Sequence, residues 1–206
     1  LSSAASDVYK RQTLEFPQSD ATVFQLTMWA QVLSTLAVGV HLLVWKYVKR
    51  DQLSLSFPNA GKVMLASIIL IVGMGCWTNY LTELTGLPDT MEEIFTKAMY
   101  NPLGVISIVV MAPIVEELLF RGGMQGHLLR KWKNPQWAIL VSALIFGIVH
   151  GNPVQMFFAS ILGLVLGWVY YRTGSLLPCM LMHFINNGTS VLLFHLSGGK
   201  DETLSL

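Results

Sequence analysis

The sequence predicts an all-α polytopic membrane protein, a transmembrane bundle of about six spanning helices in one domain. Three observations carry that expectation. Hydrophobic residues make up 53% of the 206 residues and charged residues only 12%, against about 25% charged in soluble domains. The mean hydropathy is +0.54. The apolar residues also fall into runs of spanning length, separated by short charged or turn-forming loops. Thirteen Lys and Arg against twelve Asp and Glu leave no basic surplus, so a nucleic-acid-binding role is excluded. Cys76 and Cys179 both lie in apolar runs and read as buried thiols, with neither a disulfide framework nor a Cys-based zinc site.

Residues 1–12 (LSSAASDVYKRQ) have no apolar core and no cleavage signature. They are expected to be a non-native leader rather than a signal peptide, leaving residues 13–206 as a single transmembrane domain. The first span is expected over residues 22–48, with Gln25, Gln31 and His41 making it the least apolar, and the second over 62–80. Residues 88–97 offer Asp89 as an N-cap and Glu92 three residues on, a capping box for a short interfacial helix. The third span, 102–132, carries Glu116, Glu117 and Arg121, and Pro113 should kink it and free a carbonyl near Val109. The fourth, 137–150, has 14 residues, short for a crossing and on its own consistent with a buried core helix. The fifth, 154–171, places Gly163 and Gly167 at small-xxx-small spacing for close packing. The sixth runs over 175–196.

Lys46, Lys49, Arg50 and Lys62 lie between the first two spans, and Glu83, Asp89, Glu92 and Glu93 dominate the next loop. Arg130, Lys131 and Lys133 follow the third span and Arg172 the fifth. Basic residues thus fall on alternate loops, and the positive-inside rule makes the loops near residues 50, 131 and 173 cytoplasmic, with both termini outside. Trp132 and Trp137 flank one of these loops as an interfacial belt would, and His127 joins the basic run at the membrane edge. The expected location is the cell membrane of a prokaryote, and the bilayer itself is the first partner.

Charged side chains at bilayer depth are costly and mark function by default. Glu117 and Arg121 are four residues apart, on one helix face, acid before base, and read as a self-neutralising structural pair. Glu116 is rotated about 100° away and has no partner in its own helix, so it must face polar groups or water. His150 closes the fourth span, with Phe146 one turn earlier on the same face. His183 and Asn187 project together from the sixth. At 1.5 Å per residue, Glu116 lies roughly 22 Å from Lys131 and His150 about 20 Å from Trp137, with His183 and Asn187 about 12 and 18 Å beyond Ser175. All four can meet at one depth. His41 and His195 belong to no such pattern and read as structural.

At these residues the sequence resembles the CPBP or Abi family, which contains the type II CAAX prenyl endopeptidases and bacteriocin-processing proteins. EExxxR appears as Glu116-Glu117-Leu-Leu-Phe-Arg121, FxxxH as Phe146-Gly-Ile-Val-His150, and HxxxN as His183-Phe-Ile-Asn-Asn187. The three motifs occur in order on separate helices, over residues 100–195. The resemblance implies an intramembrane endopeptidase in which Glu116 and His150 activate water, His183 and Asn187 form the oxyanion hole, and Glu117, Arg121 and Phe146 support the site. It implies no cofactor and no resident metal. It also implies a peptide or protein substrate, prenylated or otherwise membrane-associated. Family members often have about eight spans, so a count of six suggests a truncated N-terminal part.

Three other readings compete. Glu116, His150 and His183 could ligate zinc, although there is no H-E-x-x-H and Asn187 is a poor ligand. A rhomboid-type serine protease would use Ser190 near His183, without the glycine–serine motif of that class. A non-catalytic immunity or binding protein, or an ion path, would keep the polar cluster for another purpose.

Overall fold

A computed structural model describes residues 20–197, all-helical with no strand among them. The expected leader, residues 1–12, lies outside the described residues. The elements are α1 (Asp20–Val44), α2 (Ala60–Thr85), α3 (Glu92–Met99), α4 (Pro102–Lys131), α5 (Pro135–Ile148), α6 (Pro153–Thr173) and α7 (Leu177–Leu196). A 3-10 turn, Arg50–Leu53, interrupts the loop after α1.

Five of these helices, α1, α2, α4, α6 and α7, are long and apolar enough to cross a membrane. The fourth expected span, α5, has 14 residues and is not among them, so the described residues hold five helices of crossing length rather than six. The outward faces agree with a lipid solvent: Leu33 is 64% exposed, Ile69 65% and Leu84 68%, a density of bare aliphatic surface that water does not tolerate. The chain is therefore an integral membrane protein. Cys76 also faces outward, contrary to the expectation of two buried thiols, while Cys179 is fully buried. Both sit on apolar helices, but α2 has one wall in lipid, and composition does not distinguish lipid-facing from core-facing positions.

Three helices begin at an Asn–Pro pair: Asn101–Pro102, Asn134–Pro135 and Asn152–Pro153. Proline suits the first turn because its missing N–H would have no partner there. Asn101 and Asn134 cap in the ordinary way, accepting from Leu103 and Gly104 and from Gln136. Asn152 makes no such cap. At the other ends, Gly86 (φ 57°) and Gly174 (φ 67°) adopt the left-handed conformation that terminates α2 and α6.

The centre of the bundle is α4, and it is not a regular helix. The Ala112 N–H bonds to the Ser107 carbonyl and the Gly126 N–H to the Arg121 carbonyl, both five residues back. Two wide-turn segments, Ser107–Met111 and Glu117–Gln125, result. Such bulges cluster at functional sites. Pro113 explains the first one. In the wide register Pro113 would be the donor to Ile108, and it has no N–H. The Ile108 carbonyl, left without that donor, accepts instead from the Asn187 side-chain amide at 2.9 Å.

The small face of α6 packs closely on α5 and α4, as expected. Gly163 lies where an added Cβ would sit 3.0 Å from Ala143 Cα, and Gly167 where it would sit 2.8 Å from Gln125 Oε1. The bare backbone there receives polar side chains one turn apart on α4. Arg121 Nη2 donates to the Gly163 carbonyl (3.4 Å) and Gln125 Nε2 to the Gly167 carbonyl (2.8 Å). Leu118, Leu162, Leu166, Cys179 and Met182 fill the adjoining apolar core.

The short helix α3 exists, but not with the expected capping box. Its N-cap is Met91, and the Asp89 carboxylate accepts from the Met91 N–H at 2.8 Å and from Asn152 Nδ2 at 2.9 Å. Asn152 Oδ1 in turn accepts from the Thr90 N–H at 3.1 Å. At the far end, His195 Nε2 donates to the Met99 carbonyl at 3.1 Å, and Tyr100 packs edge-on against Phe194 and His195. Gly104 turns the corner into α4 so tightly that a Cβ would collide with the Ala98 backbone. Both ends of α3 are thus fastened across the top of the bundle.

Candidate active site

Below α3 lies a cavity of about 390 Å³ walled by α2, α4, α5, α6 and α7. Glu116, Phe146, His150, His183 and Asn187 all line it, together with Ile108. The structure therefore brings four of the sequence-selected polar residues to one space, as helix rise alone suggested.

Two of the expected residues stand behind that wall. Glu117 and Arg121 are both 0% exposed and paired at 3.1 Å between Glu117 Oε1 and Arg121 Nη1. The same Glu117 oxygen accepts from His183 Nδ1 at 2.9 Å. The Arg121 guanidinium carbon lies over the Phe146 ring, 4.2 Å from the centroid, a cation–π contact strengthened by burial. Phe146 is itself fully buried and meets both histidines edge-on, His150 at 4.9 Å and His183 at 5.7 Å between centroids. The Arg121–Glu117–His183 line and the Phe146 ring fix the imidazoles on both sides.

Each histidine spends Nδ1 on an anchor. His150 Nδ1 donates to the Phe146 carbonyl at 2.7 Å, and His183 Nδ1 to Glu117. In each neutral ring this leaves Nε2 unprotonated. His183 Nε2 faces Glu116 Oε2 at 3.8 Å, beyond hydrogen-bond length, and that oxygen has no partner. Asn187 is oriented by two bonds, giving one amide hydrogen to Ile108 and accepting from Asn186 Nδ2 at 3.1 Å. Its second amide hydrogen is not used by either.

Glu116, His150 and His183 are the residues through which the zinc reading would act, but among the described residues no group of three or more His, Cys, Asp or Glu is arranged to hold a metal. Ser190, the serine of the rhomboid-like alternative, gives its hydroxyl hydrogen to the Asn186 carbonyl at 3.1 Å.

Asn152 is the contributor that the sequence reading passed over. It is fully buried and holds the α2–α3 loop to the start of α6, beside His150. An Asn–Pro pair reads as a helix cap, and only the third dimension shows it diverted to another loop. Asn152→Ala removes three hydrogen bonds, those to the Asp89 carboxylate, the Thr90 N–H and the Thr90 hydroxyl. A loss of about 1–3 kcal/mol of local stability is expected, read as faster amide exchange across residues 86–99 while exchange in α6 stays unchanged.

The fold and this cluster define a class: polytopic helical membrane proteins with a glutamate, two histidines and an asparagine converging inside the bilayer. Residues 98–189 match the family described as "Type II CAAX prenyl endopeptidase Rce1-like". Over 105 residues the chain is also 32% identical to the protein named "Putative membrane peptidase YdiL" of Bacillus subtilis (strain 168). The shared stretch is 51% of this chain and 43% of the relative, so the chain spans less than half of the relative's length. No solved structure is significantly similar to the chain. Both matches agree with the resemblance to the CPBP/Abi group that the three motifs carry.

Proposed function

We propose that this protein is an intramembrane endopeptidase that hydrolyses a peptide bond with an activated water molecule. The observation that carries the reading is the Glu116 carboxylate: half-sheltered, unpartnered at Oε2, and facing a cavity that two imidazoles and an amide also line. A carboxylate at this depth is too costly to keep for packing.

In this reading Glu116 is the general base and His150 Nε2 the second acceptor that orients the water. Attack on the carbonyl places negative charge on oxygen, which His183 and the unused amide hydrogen of Asn187 stabilise. His183 already donates from Nδ1 to Glu117, so donation from Nε2 as well requires the imidazolium. That cation and Arg121 match Glu116 and Glu117 charge for charge. Glu117, Arg121 and Phe146 hold the geometry. The substrate is a peptide or protein segment delivered from the membrane, with a prenylated CAAX C-terminus as one candidate. The basic loops near residues 50, 131 and 173 face the cytoplasm.

The test uses the protein in liposomes with a quenched-fluorescence peptide library that includes prenylated CAAX peptides. Cleavage that survives chelation is expected. Loss on chelation with rescue by added zinc would replace the glutamate mechanism by a metal one, and absence of any cleavage would favour a binding or immunity role.

A further inference from the structure

On the face that carries the basic loops, α2 and α6 enclose a second cavity, of about 380 Å³. Its walls are hydrocarbon and aromatic: Phe57, Val63 and Leu70 on one side, Trp168 and Val169 on the other. From Val63 to Leu70 the groove is about 10 Å deep by helix rise, most of one leaflet's hydrocarbon half-thickness of about 15 Å. Its rim carries Arg172, in the last turn of α6, with the guanidinium carbon 5.7 Å from the Trp168 ring centroid. Arg172 forms no ion pair among the described residues. The sequence leading into and opening α2, outside the groove lining, carries Lys46, Lys49, Arg50 and Lys62, with Asp51 as the only acid between residues 46 and 62.

We propose that this groove is a binding site for an anionic glycerophospholipid, with an acyl chain between α2 and α6 and the phosphate on Arg172. The depth and lining suit a hydrocarbon chain, and an Arg beside a Trp at the membrane edge suits a headgroup. The cation surplus with no acidic wall residue selects an anionic lipid over a zwitterionic one, as basic pockets between spanning helices do. The same helix α2 supplies Met74 and Thr78 to the wall of the reaction cavity, so a lipid held here braces that wall.

The experiment measures tryptophan fluorescence of the full chain in liposomes containing dibrominated phosphatidylglycerol or dibrominated phosphatidylcholine at equal mole fraction. The share of Trp168 is obtained by difference from Trp168→Phe. Quenching of that share at about fivefold lower mole fraction of phosphatidylglycerol is expected, the preference one interfacial cation confers. Arg172→Gln should remove the preference and Arg172→Lys should keep most of it. Unchanged melting in phosphatidylcholine shows that each variant folds, and a variant that fails this check is replaced by raising the salt concentration, which should erase the preference in the wild type. Equal quenching by the two lipids, or a preference that persists in Arg172→Gln or at high salt, overturns the proposal.

Discussion

Glu116→Gln abolishes peptide cleavage while leaving the fold at least as stable as the wild type. The two halves of that result have one cause. Glutamine has the shape of glutamate and can occupy the same place in the cavity, but it cannot take a proton from water. Loss of a general base costs about 10²–10⁴ in rate. The carboxylate it replaces has an oxygen without a partner and lies 3.8 Å from His183 Nε2, too far for a hydrogen bond. Removing such a charge from bilayer depth relieves desolvation rather than breaking a bond. A structural glutamate would behave the other way, losing stability in step with activity. Cleavage rates and thermal denaturation of the two proteins in the same detergent separate these outcomes. Activity within tenfold of wild type, or a lowered melting temperature paralleling lost activity, would remove Glu116 from the chemistry.

Much of the fold was legible because membrane solvent imposes simple rules. Apolar runs of 18 to 31 residues located α1, α2, α4, α6 and α7 to within five residues at each end. The third span, expected over 102–132, is Pro102–Lys131. What sequence could not supply was the register inside it. Periodicity assigns Pro113 a kink and a lost bond at Val109, as in a regular helix. The chain widens to five-residue bonding there, and the Ile108 carbonyl finds Asn187 on another helix. That choice depends on a partner 79 residues away in sequence, which no local pattern contains.

The same division holds at the site. Helix rise brought Glu116, His150, His183 and Asn187 to one depth, and the i, i+4 rule paired Glu117 with Arg121. These are properties of single helices. Nothing local reveals that Glu117 also holds His183, that Arg121 lies over Phe146, or that Asn152 leaves its own helix to fasten the loop at Asp89 and Thr90. Each is a tertiary contact made by a residue whose local role already seemed complete.

Arg121→Met should be the most destabilising single substitution at the site, by about 3–5 kcal/mol, because it leaves the buried Glu117 carboxylate without its cation. Methionine keeps the apolar stem but ends short of the guanidinium, so part of the cost is the space left behind, and the double variant below separates that part from the charge. Arg121 also surrenders its hydrogen bond to Gly163 and its contact with the Phe146 face. Adding Glu117→Leu removes the stranded charge, and the double variant should recover most of the stability, since replacing both members of a buried pair by apolar groups is often nearly neutral. Activity should not return. Without Glu117, His183 loses the acceptor that fixes its ring at 2.9 Å, and a donor that must sit about 2.7–3.1 Å from the developing charge is free to turn. Unfolding titrations in mixed micelles give the coupling energy between the two positions, and the peptide assay gives the rate. A fully active double variant would mean that the ion pair serves packing alone. A double variant as unstable as Arg121→Met would mean that the guanidinium acts mainly through Phe146 and Gly163 and not through Glu117.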